Sequence, residues 1–184
     1  ASGASVNLSA AGTLTVSNAI NGGAIALMSD DIVISSVAGM VNSAGVVSIG
    51  TFSSGTAMFV GTATGTGLVL DNSELLAINA PFLLQLVSQN GNLTFKQATP
   101  NAPGVGGGFD LISSGGGIVF DTVAGSGTAF AAGAGGVSMT AGAGGITQTA
   151  TNFSAFSGTG ALALDTTGAI GTSGRGASLL SARP

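Results

Sequence analysis

The chain has 184 residues, 33 of them glycine, yet only 5% of its side chains are charged and its net charge is −4. Average proteins hold about 7% Gly and about 25% charged residues. With no Cys and no His, a disulfide scaffold is excluded; with Lys96, Arg175 and Arg183 as the only cations, so is the basic footprint that nucleic acid requires.

Disorder is equally disfavoured, because 45% of the residues are hydrophobic and the net charge is small. The apolar character does not add up to membrane insertion. No run reaches the roughly 18 apolar residues of a spanning helix, and Gln85 interrupts the densest stretch, residues 80–87. A transmembrane barrel would carry aromatic girdles, and Trp and Tyr are absent. The opening "ASGASVNLSA" has no basic region followed by an apolar run, so no signal peptide is expected in these residues.

Along the chain, short apolar–x–apolar pairs predict strands at Ile25/Leu27, Val47/Ile49, Leu68/Leu70, Leu93/Phe95, Ile118/Phe120, Val137/Met139 and Leu162/Leu164. Gly stands two residues before six of them, at Gly23, Gly45, Gly91, Gly116, Gly135 and Gly160; Thr66 holds that place before Leu68. The first members are spaced by 22, 21, 25, 25, 19 and 25 residues. A drifting period of this size predicts a solenoid. Secondary pairs at Leu14/Val16, Ile32/Ile34, Phe109/Leu111 and Ile146/Gln148 place several strands in each repeat. The expected fold is therefore all-β: a parallel β-helix of about eight turns of about 23 residues, forming one segment over residues 1–184. The glycines are expected at sharp corners with positive φ.

Two stretches break the rhythm. "NSELLAINAPFLLQLVSQNG" (72–91) predicts a short helix or tight turn around Glu74 to Ile78 before a strand resumes. "KQATPNAPGVGGG" (96–108), with Pro100 and Pro103, predicts a loop or insertion protruding from a corner.

Two further stretches resemble a known family. "GLVLDNSELLAINAPFLLQLVSQNGNLTF" (67–95) and "GGITQTATNFSAFSGTGALALDTTGAIGTSG" (144–174) resemble recurring units of large filamentous-haemagglutinin-type bacterial surface adhesins. The resemblance implies a right-handed parallel β-helix, exported and displayed at the cell surface as a stalk or filament. It also implies that Glu74 belongs to a structural turn.

The search for chemistry is short. The carboxylates Asp30, Asp31, Asp71, Glu74, Asp110, Asp121 and Asp165 are scattered, and metal sites need clusters. Asp30–Asp31 reads as a solvated turn. "GVGGGFD" (104–110) lacks the spacing of glycine-rich calcium repeats. Nucleophilic catalysis requires an activated hydroxyl beside a base, and Lys96, the one lysine, is expected to be solvated beside the Pro-rich loop. Asp110 and Asp121, half a turn apart, should point from different faces, unlike a glycosidase pair. The sequons at Asn7, Asn92 and Asn152 read more simply as stacked asparagines than as glycan sites. No catalytic, cofactor-binding or metal-binding residue, and no cofactor, is therefore expected.

The leading functional reading is a structural repeat segment of an extracellular or cell-surface adhesin or filament. Its partners would be neighbouring repeats or copies of itself, stacked through open β-helix ends. The alternative is a surface module that binds glycan or protein ligands. Ice binding would need a flat Thr-x-Thr array, and Thr13/Thr15, Thr62/Thr64 and Thr149/Thr151 are irregularly spaced. For "GALALDT" (160–166), alternation puts Leu162 and Leu164 inward and Ala163 and Asp165 outward. Leu164→Ala is therefore expected to cost about 2–5 kcal/mol and Asp165→Ala to change stability by about 0.5 kcal/mol.

Overall fold

The computed structural model describes residues 3–100, 107–121, 128–149, 154–172 and 175–176. These residues form an all-β structure built on two long, predominantly parallel sheets. The first sheet runs β1 (Val6–Val16), β3 (Ile25–Ile34), β5 (Val46–Gly50), β9 (Leu83–Ser88), β11 (Gly108–Ser113), β14 (Gly136–Ala141) and β17 (Leu162–Thr166), each hydrogen-bonded to the next. The second contains β7 (Gly67–Leu70), β6 (Ala57–Gly61), β10 (Leu93–Lys96), β12 (Gly117–Phe120), β15 (Gly145–Gln148), β18 (Ile170–Thr172) and β19 (Arg175–Gly176) in that order. All its pairs are parallel except β18 with β19. Two small parallel sheets complete the framework: β2 (Ile20–Gly22), β4 (Val41–Ser43) and β8 (Ile78–Asn79) in one, β13 (Thr128–Gly133) and β16 (Ser154–Gly158) in the other. The one helix among the described residues, α1 (Asn72–Ala77), lies between β7 and β8. Among the described residues, no helix is long and apolar enough to cross a membrane.

All seven apolar pairs of the sequence lie in strands, but they do not mark one recurring position. Four belong to the first sheet, in β3, β5, β14 and β17; three belong to the second, in β7, β10 and β12. The first sheet has seven strands rather than eight. Its in-register column Val6, Ile25, Val47, Leu84, Phe109, Val137 and Leu162 advances by 19, 22, 37, 25, 28 and 25 residues. The regular period of about 23 came from mixing strands of two sheets. The 37-residue step is long because the chain lays down β6 and β7 side by side, then α1 and β8, before it returns to the first sheet.

Alternation fixes what each strand buries. In β9 and β14 every second residue points inward, as a strand with one covered face demands; β3 does the same on either side of Asp30–Asp31, where two successive residues face outward. Ile25, Leu27, Val47, Ile49, Leu84 and Leu86 from the first sheet join Met58, Leu68, Leu93, Phe95, Ile118 and Phe120 from the second in one hydrophobic core. Phe130 of β13 bridges them, with ring centroids 4.9 Å from both Phe95 and Phe109. A buried side chain of this kind contributes about 1.5–3 kcal/mol.

The recurring glycines have a different cause from the expected one. Positive φ occurs at others, such as Gly61 (φ 84°) and Gly67 (φ 140°), which bracket the tight return from β6 to β7. At Gly45, a Cβ would fall well inside 3.0 Å of the Gly23 carbonyl; at Gly116 it would meet the Gly91 carbonyl, and at Gly160 that of Gly135. The obstruction is backbone at the corner that precedes the neighbouring strand, which cannot swing aside as a side chain can.

Two expectations at the margins change. Residues 96–100 do not all protrude: Lys96 closes β10, Gln97 takes a φ of 45°, and the buried Ala98 forms a parallel bridge to Phe130. Gly108 opens β11, and residues 101–106 lie outside the described part. In β17 the inward–outward assignment is as expected, with Ala163 and Asp165 exposed, but Leu162 and Leu164 are only partly buried because β17 is the last strand of its sheet.

Two comparisons test this packing by denaturant unfolding. Leu86→Ala in mid-sheet costs about 2–5 kcal/mol, and Leu164→Ala costs about half as much because its half-exposed side chain has less burial to lose. Gly116→Ala costs about 1–3 kcal/mol through the backbone shift it forces. Gly12→Ala, where a Cβ meets nothing within 4 Å, stays within about 0.5 kcal/mol of the unmodified chain.

Candidate functional site

Polar groups of the described residues form ladders that run across neighbouring strands, not a convergent cleft. On the outer face of the first sheet, Ser48 donates to Gln85 Oε1 (2.9 Å), and Gln85 Nε2 donates to Asp110 (2.9 Å). In the small sheet, Asn42 Nδ2 donates to Asn21 Oδ1 (3.0 Å) and Asn79 Nδ2 to Asn42 Oδ1 (2.6 Å). Beyond the second sheet, Lys96 Nζ lies 3.2 Å from Asp121 Oδ2, whose Oδ1 accepts from Thr149 Oγ1 at 3.1 Å. Stacked strands about 4.8 Å apart bring equal positions within reach of one another.

The acidic residues are accordingly dispersed. Asp30–Asp31 is not a solvated turn. Both residues lie in β3 and turn to different neighbours: Asp30 accepts from the Ser53 backbone N–H (2.7 Å) and hydroxyl, Asp31 from Thr13 Oγ1 (2.8 Å). Burial opposes ionisation of Asp30, but hydrogen bonds from Ser53, Thr56 and Phe52 together outweigh it and hold the carboxyl below its ordinary value. Asp110 lies in the first sheet and Asp121 just past the end of β12 in the second. Lys96 is ion-paired rather than free in solvent, with 36% of its side chain exposed; a pair this exposed contributes less than about 1 kcal/mol. Asp165 is exposed on β17.

Asp71 and Glu74 do come together. Asp71 is the N-cap of α1: its Oδ1 accepts from the Glu74 N–H (2.9 Å), while Glu74 Oε2 accepts from the Asp71 N–H (3.0 Å), a complete capping box. The other Glu74 oxygen, Oε1, accepts from the Ile34 N–H at 2.8 Å, forty positions back in the chain. One buried carboxylate thus starts the helix and ties it to the end of β3. Burial raises the Glu74 pKa above its ordinary value; the Ile34 and Asp71 N–H bonds oppose this, and the neighbouring Asp71 and Asp31 charges add to it. Asp71 is also opposed by burial, but the Ser73 hydroxyl and the Glu74 and Ser73 N–H groups bring it below its ordinary value.

Sequence reasoning missed the Asn21–Asn42–Asn79 ladder. The signal was present as three apolar–Asn dipeptides, Ile20-Asn21, Val41-Asn42 and Ile78-Asn79, each in a strand of the small sheet. The sequon residue Asn92 instead accepts from the Gly117 N–H (2.9 Å), Asn7 is exposed on β1, and Asn152 lies outside the described residues. Of the threonine pairs, Thr13/Thr15 lies on β1, Thr62/Thr64 lies in the return from β6 to β7, and Thr151 is outside the described part. Two shallow, open depressions flank β6 and β7, one edged by Thr62, Thr64 and Asp71, the other by Asp30, Thr56 and Thr66. Among the described residues, no group of three or more carboxylates, His or Cys converges on a point.

Against known proteins, the chain matches no family model, no curated protein sequence and no solved structure.

Glu74→Gln leaves one of the two N–H donors facing an amide NH2, and costs about 1–3 kcal/mol. A carboxyl whose folded pKa is raised loses stability as pH climbs from its ordinary 4.5 to the raised value. Melting temperature should therefore decline with rising pH across that window, and the decline should flatten in Glu74→Gln. The lowered carboxyls Asp30 and Asp71 act oppositely: the stability they contribute is lost as pH falls below their ordinary 3.8.

Proposed function

We propose that the chain is a right-handed parallel β-helix serving as a structural segment of a filamentous-haemagglutinin-type bacterial surface adhesin or extracellular filament. The observation that carries this reading is the seven-strand parallel register of the first sheet, in which each strand uses both edges except at the ends. A module of this kind transmits load through stacked hydrogen bonds and needs no convergent cleft. Crossovers between parallel strands of one sheet are right-handed in about 98% of cases, which supports the handedness. The sequence resemblance in residues 67–95 and 144–174 supports the family. Polar side chains spent on neighbouring strands, as in Ser48–Gln85–Asp110, favour a scaffold over a site that turns its polar groups toward a ligand.

The location can be tested directly. Protease treatment of intact source cells should remove the epitope recognised by an antibody raised against this chain, with a cytosolic marker untouched. An epitope that becomes accessible only after lysis would refute surface display. Saturable glycan binding by the purified chain would favour the binding-module alternative.

A further inference from the structure

The two ends of the first sheet carry matching surfaces. At one end, among the described residues, β1 is hydrogen-bonded on one side only, and of its inward column residues Leu8 is 36% exposed and Val6 only partly buried. Within the chain these two pair with Ile25 and Leu27, which are 1% and 0% exposed. At the other end β17 is the last strand, and Leu162 and Leu164 are half-buried in the same two columns. The strands of this sheet run parallel, so β1 and β17 point the same way while their free edges face opposite ends of the sheet, and the two edges offer complementary rows of N–H and C=O groups.

We propose that these edges join: β17 of one copy pairs in parallel with β1 of a second, with Leu162 beside Val6 and Leu164 beside Leu8. This rests on reading the chain as stacked strands, and it names a second copy of the chain as the partner. The register is the one that continues both apolar columns; a shift by one residue would put Ala163 and Asp165 against Val6 and Leu8. On the outer face the same register sets Asp165 beside Ser9. Hydroxyl-to-carboxylate pairing already occurs between strands in Thr13–Asp31, and at strand ends and turns in Ser53–Asp30 and Thr149–Asp121. The glycine column reaches the two faces at Gly3, which abuts Gly23, and at Gly160, which abuts Gly135. The contact is confined to the first sheet, because in the second β18 is already paired with the antiparallel β19. It is heterologous, so it propagates as an open chain of copies and does not stop at a dimer.

The protein has no cysteine, which makes the register measurable. In the proposed pairing Asn7 and Ala163 are outward neighbours with Cα atoms about 4.8 Å apart, within disulfide reach. Asn7 and Asp165 would be about 8 Å apart, beyond it. The full chain carrying Asn7→Cys and Ala163→Cys should give a ladder of disulfide-linked oligomers under mild oxidation, forming at least ten times faster than with Asn7→Cys and Asp165→Cys. Adding Leu8→Lys should slow the ladder at least tenfold. A mixture of the two single-cysteine chains should stop at dimers, which keeps the test valid if either double variant folds poorly. Equal rates in both registers, or no cross-linking with folded single variants at high concentration, would overturn the proposal. Such a failure leaves surface display untouched, whereas an intracellular location would defeat the adhesin reading even if the ladder formed.

Discussion

The structure depends on how closely one strand's backbone lies on the next. Parallel pairing fixes that distance at about 4.8 Å, and at the corners it leaves no room for a Cβ. The carbonyls of Gly23, Gly91 and Gly135 occupy the space in which residues 45, 116 and 160 would otherwise place one. Much of the composition follows. Corners take Gly, inward columns take Ile, Leu, Val and Phe, and small residues fill much of the remainder. Charge is scarce where outward positions stack directly on one another, because like charges directly opposite repel.

Polar atoms inside such a pile need partners that recur with it. Ser88 donates to the carbonyls of Thr56 and Gly91, Ser113 donates to that of Gly91, and Ser43 reaches Gly23 and Val46. Hydroxyls suit these corners because one oxygen can both donate and accept. Glu74 is the costlier solution, a buried carboxylate at the place where a helix is inserted. Its two oxygens satisfy two backbone donors from separate parts of the chain, which neither a hydroxyl nor an amide could do in that position.

The all-β character and the inward–outward sense of β17 were legible because alternation with period two is a local signal. The helix was half legible: the sequence predicts a short helix or tight turn around Glu74 to Ile78, and α1 spans Asn72–Ala77, started by an Asp71-x-x-Glu74 capping box that sequence reasoning missed. The number of strands and the true period were not legible. Apolar–x–apolar pairs look alike whichever sheet receives them, so seven strands from two sheets passed for one series. The roles of Asp30, Asp31 and Lys96 were hidden for another reason. Their partners Ser53, Thr13 and Asp121 lie 18 to 25 residues away, at distances set by irregular steps that a single sequence does not announce. Glycine misled in its cause and not in its place, since close approach and positive φ select the same residue.

The return from β6 to β7 has a consequence for the order of folding. Parallel neighbours ordinarily need a crossover of a dozen or more residues, yet only residues 62–66 separate these two strands. Loop-closure entropy therefore makes this the least costly parallel pair in the chain to form, and α1, with its own cap, follows directly. β7 lies on one edge of β6, and β10 later takes the other. With β7 already on one of its edges, β6 has only the other left for a strand that arrives later, so growth from β6 proceeds in one direction, toward β10.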